Sequence, residues 1–285
     1  MLKIKTPLVS IDWLLKYVNE PNLIILDATI KKVSATKTSL KTTEKLQIKN
    51  ARFVDIKNKF SDTSSELPNT IQSPQEFSKA AKQLGISNDS AIVVYDELGI
   101  FSSPRIWWLF KAMGHDNIAV LDGGSPAWKK AGFPIENRVP YMGEEGDFTA
   151  SYDANLIKDF NDVFTSINND TISVVDARSE NRFNGTGIEP RKGLRSGHIP
   201  NSINLPFAEL LNDGEMKSKE ELTTIFKGTV KEDSKIIFSC GSGITACILA
   251  LGAELAGLNN LSVYDGSWTE WGSLPSGQFP VGSIQ

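Results

Sequence analysis

The sequence predicts an α/β protein made of two copies of one unit, each a mainly parallel sheet with helices on both faces. Three observations carry that expectation. Short apolar runs such as Leu23-Ile-Ile-Leu and Ile172-Ser-Val-Val alternate along the chain with segments whose apolar residues recur at helical spacing. Runs with so little polar interruption suit strands buried on both faces, as in a parallel sheet. The landmarks of the first half also return in the second. Asp27 answers to Asp176, Asp96 to Cys240, Asp122 to Asp265 and Trp128 to Trp271, a near-constant spacing of about 145 residues that marks a duplicated domain rather than a solenoid.

Each element has a local cause. Ser10 can cap an amphipathic helix, Ile11-Asp-Trp-Leu-Leu-Lys-Tyr-Val, that ends before Pro21. Residues 22–27 read as a buried strand closing on Asp27. A polar stretch follows to about Asn50, and its lysines (Lys31, Lys32, Lys37, Lys41, Lys45) read as a solvated loop. Ala51-Arg-Phe-Val-Asp-Ile reads as a second strand, and 61–73 as a loop rich in Ser, Thr, Asn and Pro. Ser73 with Pro74 opens a helix that Gly85 stops. Residues 91–96 form the next buried strand. A helix around Arg105 then runs to Met113, and 118–122 form a strand with a Gly123-Gly124 turn. The expected boundaries are 1–139 for a non-catalytic domain, 140–152 for a linker and 153–285 for a catalytic domain.

The chemistry is expected where the second copy changes period. Ile236, Ile237 and Phe238 form a strand, and from Ile244 the apolar residues recur at helical spacing through Ile248, Leu249, Leu251 and Leu255. Between them a tight loop holds Cys240, Gly241, Ser242 and Gly243. The glycines let consecutive backbone N–H groups turn inward, and the following helix points its positive end at the same spot. Both effects favour a thiolate over a thiol and make Cys240 a nucleophile. A buried cysteine acting as a small hydrophobe is the plainer alternative, but a core does not ask for glycines beside it. The first copy carries Asp96 at the matching position, so only the second half is equipped for cysteine chemistry.

Composition narrows the classes. A net charge of −4 with no dense Lys/Arg run argues against nucleic acid as a partner, and no apolar run approaches a membrane span. The two cysteines, Cys240 and Cys247, lie about two helical turns apart, too far for an easy disulfide. Low cysteine use and the lack of an N-terminal signal core lead to the expectation of a cytoplasmic protein. No Cys/His cluster has metal-ligand spacing, so no metal or organic cofactor is expected.

At this point the residues resemble the two-domain rhodanese-like sulfurtransferases. The likeness runs over nearly the whole chain. It lies in Asp176-Ala-Arg-Ser, Gly197-His-Ile-Pro with Asn204-Leu-Pro-Phe, the Cys240 loop and Asp265-Gly-Ser-Trp-Thr-Glu-Trp-Gly. In the first half it lies in Ser103-Pro-Arg-Ile-Trp-Trp and Leu121-Asp-Gly-Gly. The resemblance implies two tandem rhodanese-like domains. Cys-Gly-Ser-Gly-Ile-Thr, without the Arg and Lys of thiosulfate-preferring members, is similar to the 3-mercaptopyruvate branch, with Ile244 where that branch has Val. Arg182 and Arg191 fall where that branch carries two substrate-binding arginines, and a guanidinium fork suits a carboxylate and its keto oxygen. The implied assignment is Cys240, Ser242 and Thr245 as catalytic, with Arg182, Arg191, Gly241, Gly243 and Ile244 as substrate-binding.

Two departures qualify it. Asn69 stands in the loop where some relatives carry a histidine of a serine–histidine–aspartate relay, so Ser242 is expected as a hydrogen-bond donor and not as part of a triad. Gln47-Ile-Lys-Asn replaces the Gly-His-Ile-Pro of the first half. His115 and His198 read as structural turn residues, and Cys247 as a packing residue. The expected reaction passes sulfur through a Cys240 persulfide to a thiol, to cyanide or to a reduced dithiol such as thioredoxin. The alternatives are a thiosulfate sulfurtransferase or a non-turnover persulfide carrier. A cysteine phosphatase is discounted because the position of its phosphate-gripping arginine is Ala246.

Overall fold

A computed structural model describes residues 1–30, 45–275 and 277–282. Lys31, Lys32, Lys37 and Lys41 of the expected solvated loop lie outside the described residues, whereas Lys45 is exposed. The chain forms two compact units. One holds Met1–Phe60, Gln72–Tyr152 and Asp213–Glu215, and the other Ser61–Ile71, Asp153–Asn212 and Met216–Gln285.

Each unit is built on a five-stranded, wholly parallel sheet. In the first the order across the sheet is Leu8–Val9, Ile118–Leu121, Ala91–Tyr95, Leu23–Asp27 and Arg52–Phe53. In the second it is Ile157–Lys158, Leu261–Tyr264, Lys235–Ser239, Ile172–Asp176 and Ile203–Asn204. The two orders coincide strand for strand, so the repeat seen in the sequence is a repeat of topology. The middle strands are the apolar runs, and the two-residue edge strands keep little of the ladder exposed.

Alternation along each strand feeds two cores. In the second unit Val174, Ile237 and Tyr264 share one face with Val163, Trp268 and Trp271. On the other face the helix Ala246–Leu255 packs against Lys235–Ser239 and Leu261–Tyr264, with the helix Lys219–Thr229 outside it. Being enclosed on two sides, Ala246–Leu255 is buried from Ala246 through Ala253, which explains why its sequence is apolar nearly all round. In the first unit Ile25, Val93, Tyr95, Ala119 and Leu121 meet Leu14 and Trp128 in the same way.

The capped helices form where expected. Ser10 accepts from the Trp13 N–H ahead of Ile11–Tyr17, and Ser73 accepts from the Glu76 N–H ahead of Pro74–Gln83. Two expectations need correction. The strand expected at 51–56 is only Arg52–Phe53. The stretch before Asn50, read as loop, contains Leu46–Ile48, which pairs antiparallel with Ile135–Asn137. Three residues show no period, and the pairing is settled by long-range partners: the Ile48 N–H donates to Tyr95 Oη, and Gln47 Nε2 to Glu136 Oε1.

The stretch expected as a linker is strapped to the first unit. The Gly146 N–H donates to the Lys82 carbonyl and the Phe148 N–H to that of Ile86. Phe148 joins Phe77, Phe110 and His115 in a buried aromatic cluster.

Candidate active site

Parallel strands deliver their carboxyl ends to one edge of the sheet, and ligand sites of open α/β sheets form there. In the second unit that edge collects Asp176-Ala-Arg178, the Cys240 loop and Asp265-Gly-Ser267 from three adjacent strands. Cys240 follows the central strand directly and is 1% exposed. Gly243 supplies the turn into the helix with φ +75°, a conformation a side chain would strain. Thr245 closes the loop as the residue before Ala246, and its side chain makes no capping bond. Ile244 is buried. Cys247 is buried in the first turn of the helix with its Sγ on the Gly243 carbonyl, 3.3 Å away.

The expected inward N–H groups are arranged differently from the local reading. The N–H groups of Cys240 and Gly243 donate to Ser267 Oγ at 3.1 and 3.2 Å. That oxygen lies 3.9 Å from Cys240 Sγ and 2.8 Å from the Tyr264 carbonyl, so its single proton serves one or the other. Two of the loop donors thus act through a hydroxyl instead of facing the sulfur. Ser267 is fully buried and sits at φ +50°, an unfavourable backbone conformation held by its surroundings. The next two residues pin the loop from outside: the Trp268 N–H donates to the Cys240 carbonyl, and the Thr269 N–H to that of Gly241.

Over Gly241 stand the two arginines. A β carbon at Gly241 would come within 3.3 Å of Arg182 Nη2, a tight approach, and 3.8 Å of Arg191 Nη1, an ordinary contact, so the glycine leaves room chiefly for the Arg182 guanidinium. Arg191 donates to Ser242 Oγ at 3.1 Å. Burial pushes the Arg191 guanidinium below its usual value, the Cys240 charge opposes that shift, and Arg182 reinforces it.

Arg182 is held by Glu189 through Nε and Nη2, at 3.2 and 2.7 Å. Glu189, 4% exposed at its side chain, also takes Arg178 Nη1 at 2.8 Å, and Arg178 in turn grips Asp176 and the Gly197 carbonyl. The Arg178 guanidinium lies 4.2 Å from the centre of the Trp268 ring. Arg178, Arg182 and Arg191 outnumber the carboxylates of Asp176 and Glu189 by one, before the charge of Cys240 itself is counted.

The structure therefore brings Cys240, Gly241, Ser242, Arg182 and Arg191 together. Gly243 and Ile244 contribute backbone and core packing beneath them. Glu189, Arg178 and Ser267 were missed as functional residues. The Asp176-Ala-Arg-Ser, Glu189-Pro-Arg191 and Asp265-Gly-Ser motifs contained all three, but nothing local showed which neighbours they would face.

In the first unit the equivalent loop is closed on itself. The Asp96 carboxylate accepts from the backbone N–H groups of Leu98, Phe101, Ser102 and Ser103 and from Ser103 Oγ, at 2.7 to 2.9 Å. The donors that would cradle an incoming anion are occupied by the chain's own side chain.

Comparison with known proteins places the chain in a family. Residues 10–131 and 160–274 match the rhodanese-like domain family. The thiosulfate/3-mercaptopyruvate sulfurtransferase 1, mitochondrial, of Arabidopsis thaliana is 35% identical over 301 residues, covering 98% of this chain and 79% of the relative. The 3-mercaptopyruvate sulfurtransferase of Escherichia coli (strain K12) is 36% identical over 268 residues, 93% of this chain and 94% of the relative. The crystal structure of SseA from Escherichia coli, from work on 3-mercaptopyruvate sulfotransferases, superposes with a TM-score of 0.82 at 34% identity, covering 93% of this chain and 99% of that one. With both halves matched and the topology repeated, this chain belongs to the rhodanese-like domain family as a tandem, two-domain sulfurtransferase.

Proposed function

We propose that this chain is a sulfurtransferase that takes sulfur from 3-mercaptopyruvate through a persulfide on Cys240, releases pyruvate, and passes the sulfur to a thiol or to cyanide. The observation that carries the reading is the pair of arginines over Gly241, beside a cysteine loop that has no cation of its own. A donor with one carboxylate needs its charge held beside the sulfur, not around it.

The Cys240 thiolate attacks the donor's sulfur. The S–S bond forms as the carbon–sulfur bond breaks, and the electron pair of the broken bond moves onto the three-carbon fragment as the pyruvate enolate. Arg182 and Arg191 hold the carboxylate and keto oxygen, where negative charge develops. The thiol proton of the donor is released from the persulfide, and one proton reaches the enolate methylene, which completes pyruvate. Ser242 and Thr245 stabilise the anionic Cys240 persulfide, and the loop around Gly243 and Ile244 contributes through the Ser267 hydroxyl that the Gly243 N–H holds. Cyanide then attacks the outer sulfur, thiocyanate leaves, and the Cys240 thiolate returns. A reduced dithiol protein such as thioredoxin fits the same step, and a cytoplasmic setting belongs to this proposal, in keeping with two cysteines that are both free thiols.

The test follows pyruvate release from 3-mercaptopyruvate beside thiocyanate formation from thiosulfate and cyanide. The expected result is pyruvate release that Cys240→Ser abolishes and that Arg182→Ala and Arg191→Ala weaken by roughly tenfold or more in kcat/KM. Faster turnover of thiosulfate would reassign the donor. Pyruvate release by Cys240→Ser would remove the persulfide from the mechanism, and a single turnover without recycling would leave a carrier protein.

A further inference from the structure

Ser242 is approached from two sides. Asn69 Nδ2 lies 3.1 Å from the Ser242 carbonyl oxygen and 3.0 Å from its Oγ, and Arg191 Nη2 lies 3.1 Å from the same Oγ. A backbone carbonyl only accepts, so the Asn69 atom facing it is the amide nitrogen, which carries one hydrogen for the carbonyl and one for the hydroxyl. A guanidinium only donates. Both lone pairs of Ser242 Oγ are therefore occupied, and its one proton points along the remaining direction, where no described residue accepts it.

Asn69 is built to do this. It sits at φ +62°, a left-handed conformation that asparagine tolerates better than most side chains. Its loop is braced from within, the Asp62 N–H donating to the Thr70 carbonyl and Thr70 Oγ1 to that of Leu67. It is pinned from without by the Ile71 N–H on Asp265 Oδ2 at 2.7 Å. Asp265 follows the strand Leu261–Tyr264, which pairs with the strand that leads into Cys240, so the loop is tied to the edge of the sheet where the sulfur lies.

From this geometry we infer that Asn69 is a positioning residue which, with Arg191, fixes Ser242 as a one-way hydrogen-bond donor to the sulfur anion formed at Cys240. The inference rests on the sulfur-transfer reading above. It makes Ser242 an oriented donor, with its acceptor side closed by two groups that never accept a proton from it.

The test compares Asn69→Gly, Ser242→Ala and the double variant. Glycine keeps the left-handed turn without strain, so only the amide is lost. Each single variant is expected to lower kcat for pyruvate release by about tenfold with KM within about twofold, as for a hydrogen bond that strengthens in the transition state. The double variant is expected to be no slower than Ser242→Ala, because Asn69 acts through that hydroxyl. Asn69→Asp, which keeps size and turn but presents an acceptor, is expected to draw the Ser242 proton to itself and lower kcat at least as far.

Wild-type kcat in Asn69→Gly, or a double variant whose loss is the product of the single losses, would overturn the inference. The same series is run on Cys240 persulfide formation from inorganic polysulfide, read by intact-protein mass. There the thiolate takes one sulfur and leaves a polysulfide anion one sulfur shorter. Absence of pyruvate in the wild type defeats the choice of donor, whereas the polysulfide series still decides the role of Asn69.

Discussion

Glu189 shows how much of the site depends on one carboxylate. It accepts from Arg178 and Arg182 together and is nearly excluded from solvent. Replacing it with glutamine keeps the shape but removes the charge that aims Arg182, and leaves two guanidinium groups to repel each other. Glu189→Gln is expected to raise KM for 3-mercaptopyruvate by about tenfold, with a loss of about 3 kcal/mol in urea unfolding, the order seen when one partner of a buried ion pair is removed. An unchanged KM would show that Arg182 keeps its aim without Glu189. Cys240 and the two arginines were legible in the sequence because a cysteine between an apolar run and two glycines is a local pattern, and the arginines lie within a short matched segment. Ser267 was not, because its partner on the loop is 27 residues away and only folding brings them together.

At the scale of the element, one strand–loop–helix unit occurs twice and is finished in two ways. After Lys235–Ser239 the loop presents a thiol. After Ala91–Tyr95 it folds onto Asp96, whose carboxylate gathers four backbone N–H groups in a buried setting. Asp96 is therefore a structural anion of the first unit. Asp96→Ala orphans those donors and is expected to cost about 3 kcal/mol or more of stability, measured by urea unfolding. A neutral effect would mean that water or a bound anion replaces the carboxylate without loss. The helices were legible through Ser10, Ser73 and Pro74, whose capping roles are encoded within one turn. The short strand Leu46–Ile48 was not, since three residues carry no period and its partner strand begins at Ile135.

At the scale of the whole molecule, the pH range of stability has an identifiable contributor. His115 is buried against Phe110 and Phe148, and burial holds its imidazole below the usual histidine value despite the nearby Ser90 and Asp116. The sign follows from linkage. The unfolded chain binds this proton more readily than the folded one, so stability is retained above the unfolded value and declines as the pH falls through it. Between about pH 7.5 and 5.5 the melting temperature of the wild type is expected to fall more steeply than that of His115→Gln, which cannot take up the proton. Parallel slopes would show that His115 is as easily protonated folded as unfolded. Because this cluster also holds Phe148, the stretch 140–148 is expected to loosen as His115 protonates, which hydrogen exchange at the Phe148 amide reads directly.

The α/β alternation, the duplication, the thiol at the end of a buried strand and its absence from the first copy are all written in the local sequence. Each of those follows from periodicity, composition or spacing, which neighbouring residues express without help. The polar groups gathered around the cysteine loop are set by long-range folding instead. Parallel pairing carries the ends of three strands from separate parts of the chain to one edge. There Ser267 meets the Cys240 loop, Glu189 aims Arg182, and Asn69 closes the acceptor side of Ser242. Hydrogen bonds of this kind join residues as far as 194 positions apart, and no local pattern encodes them.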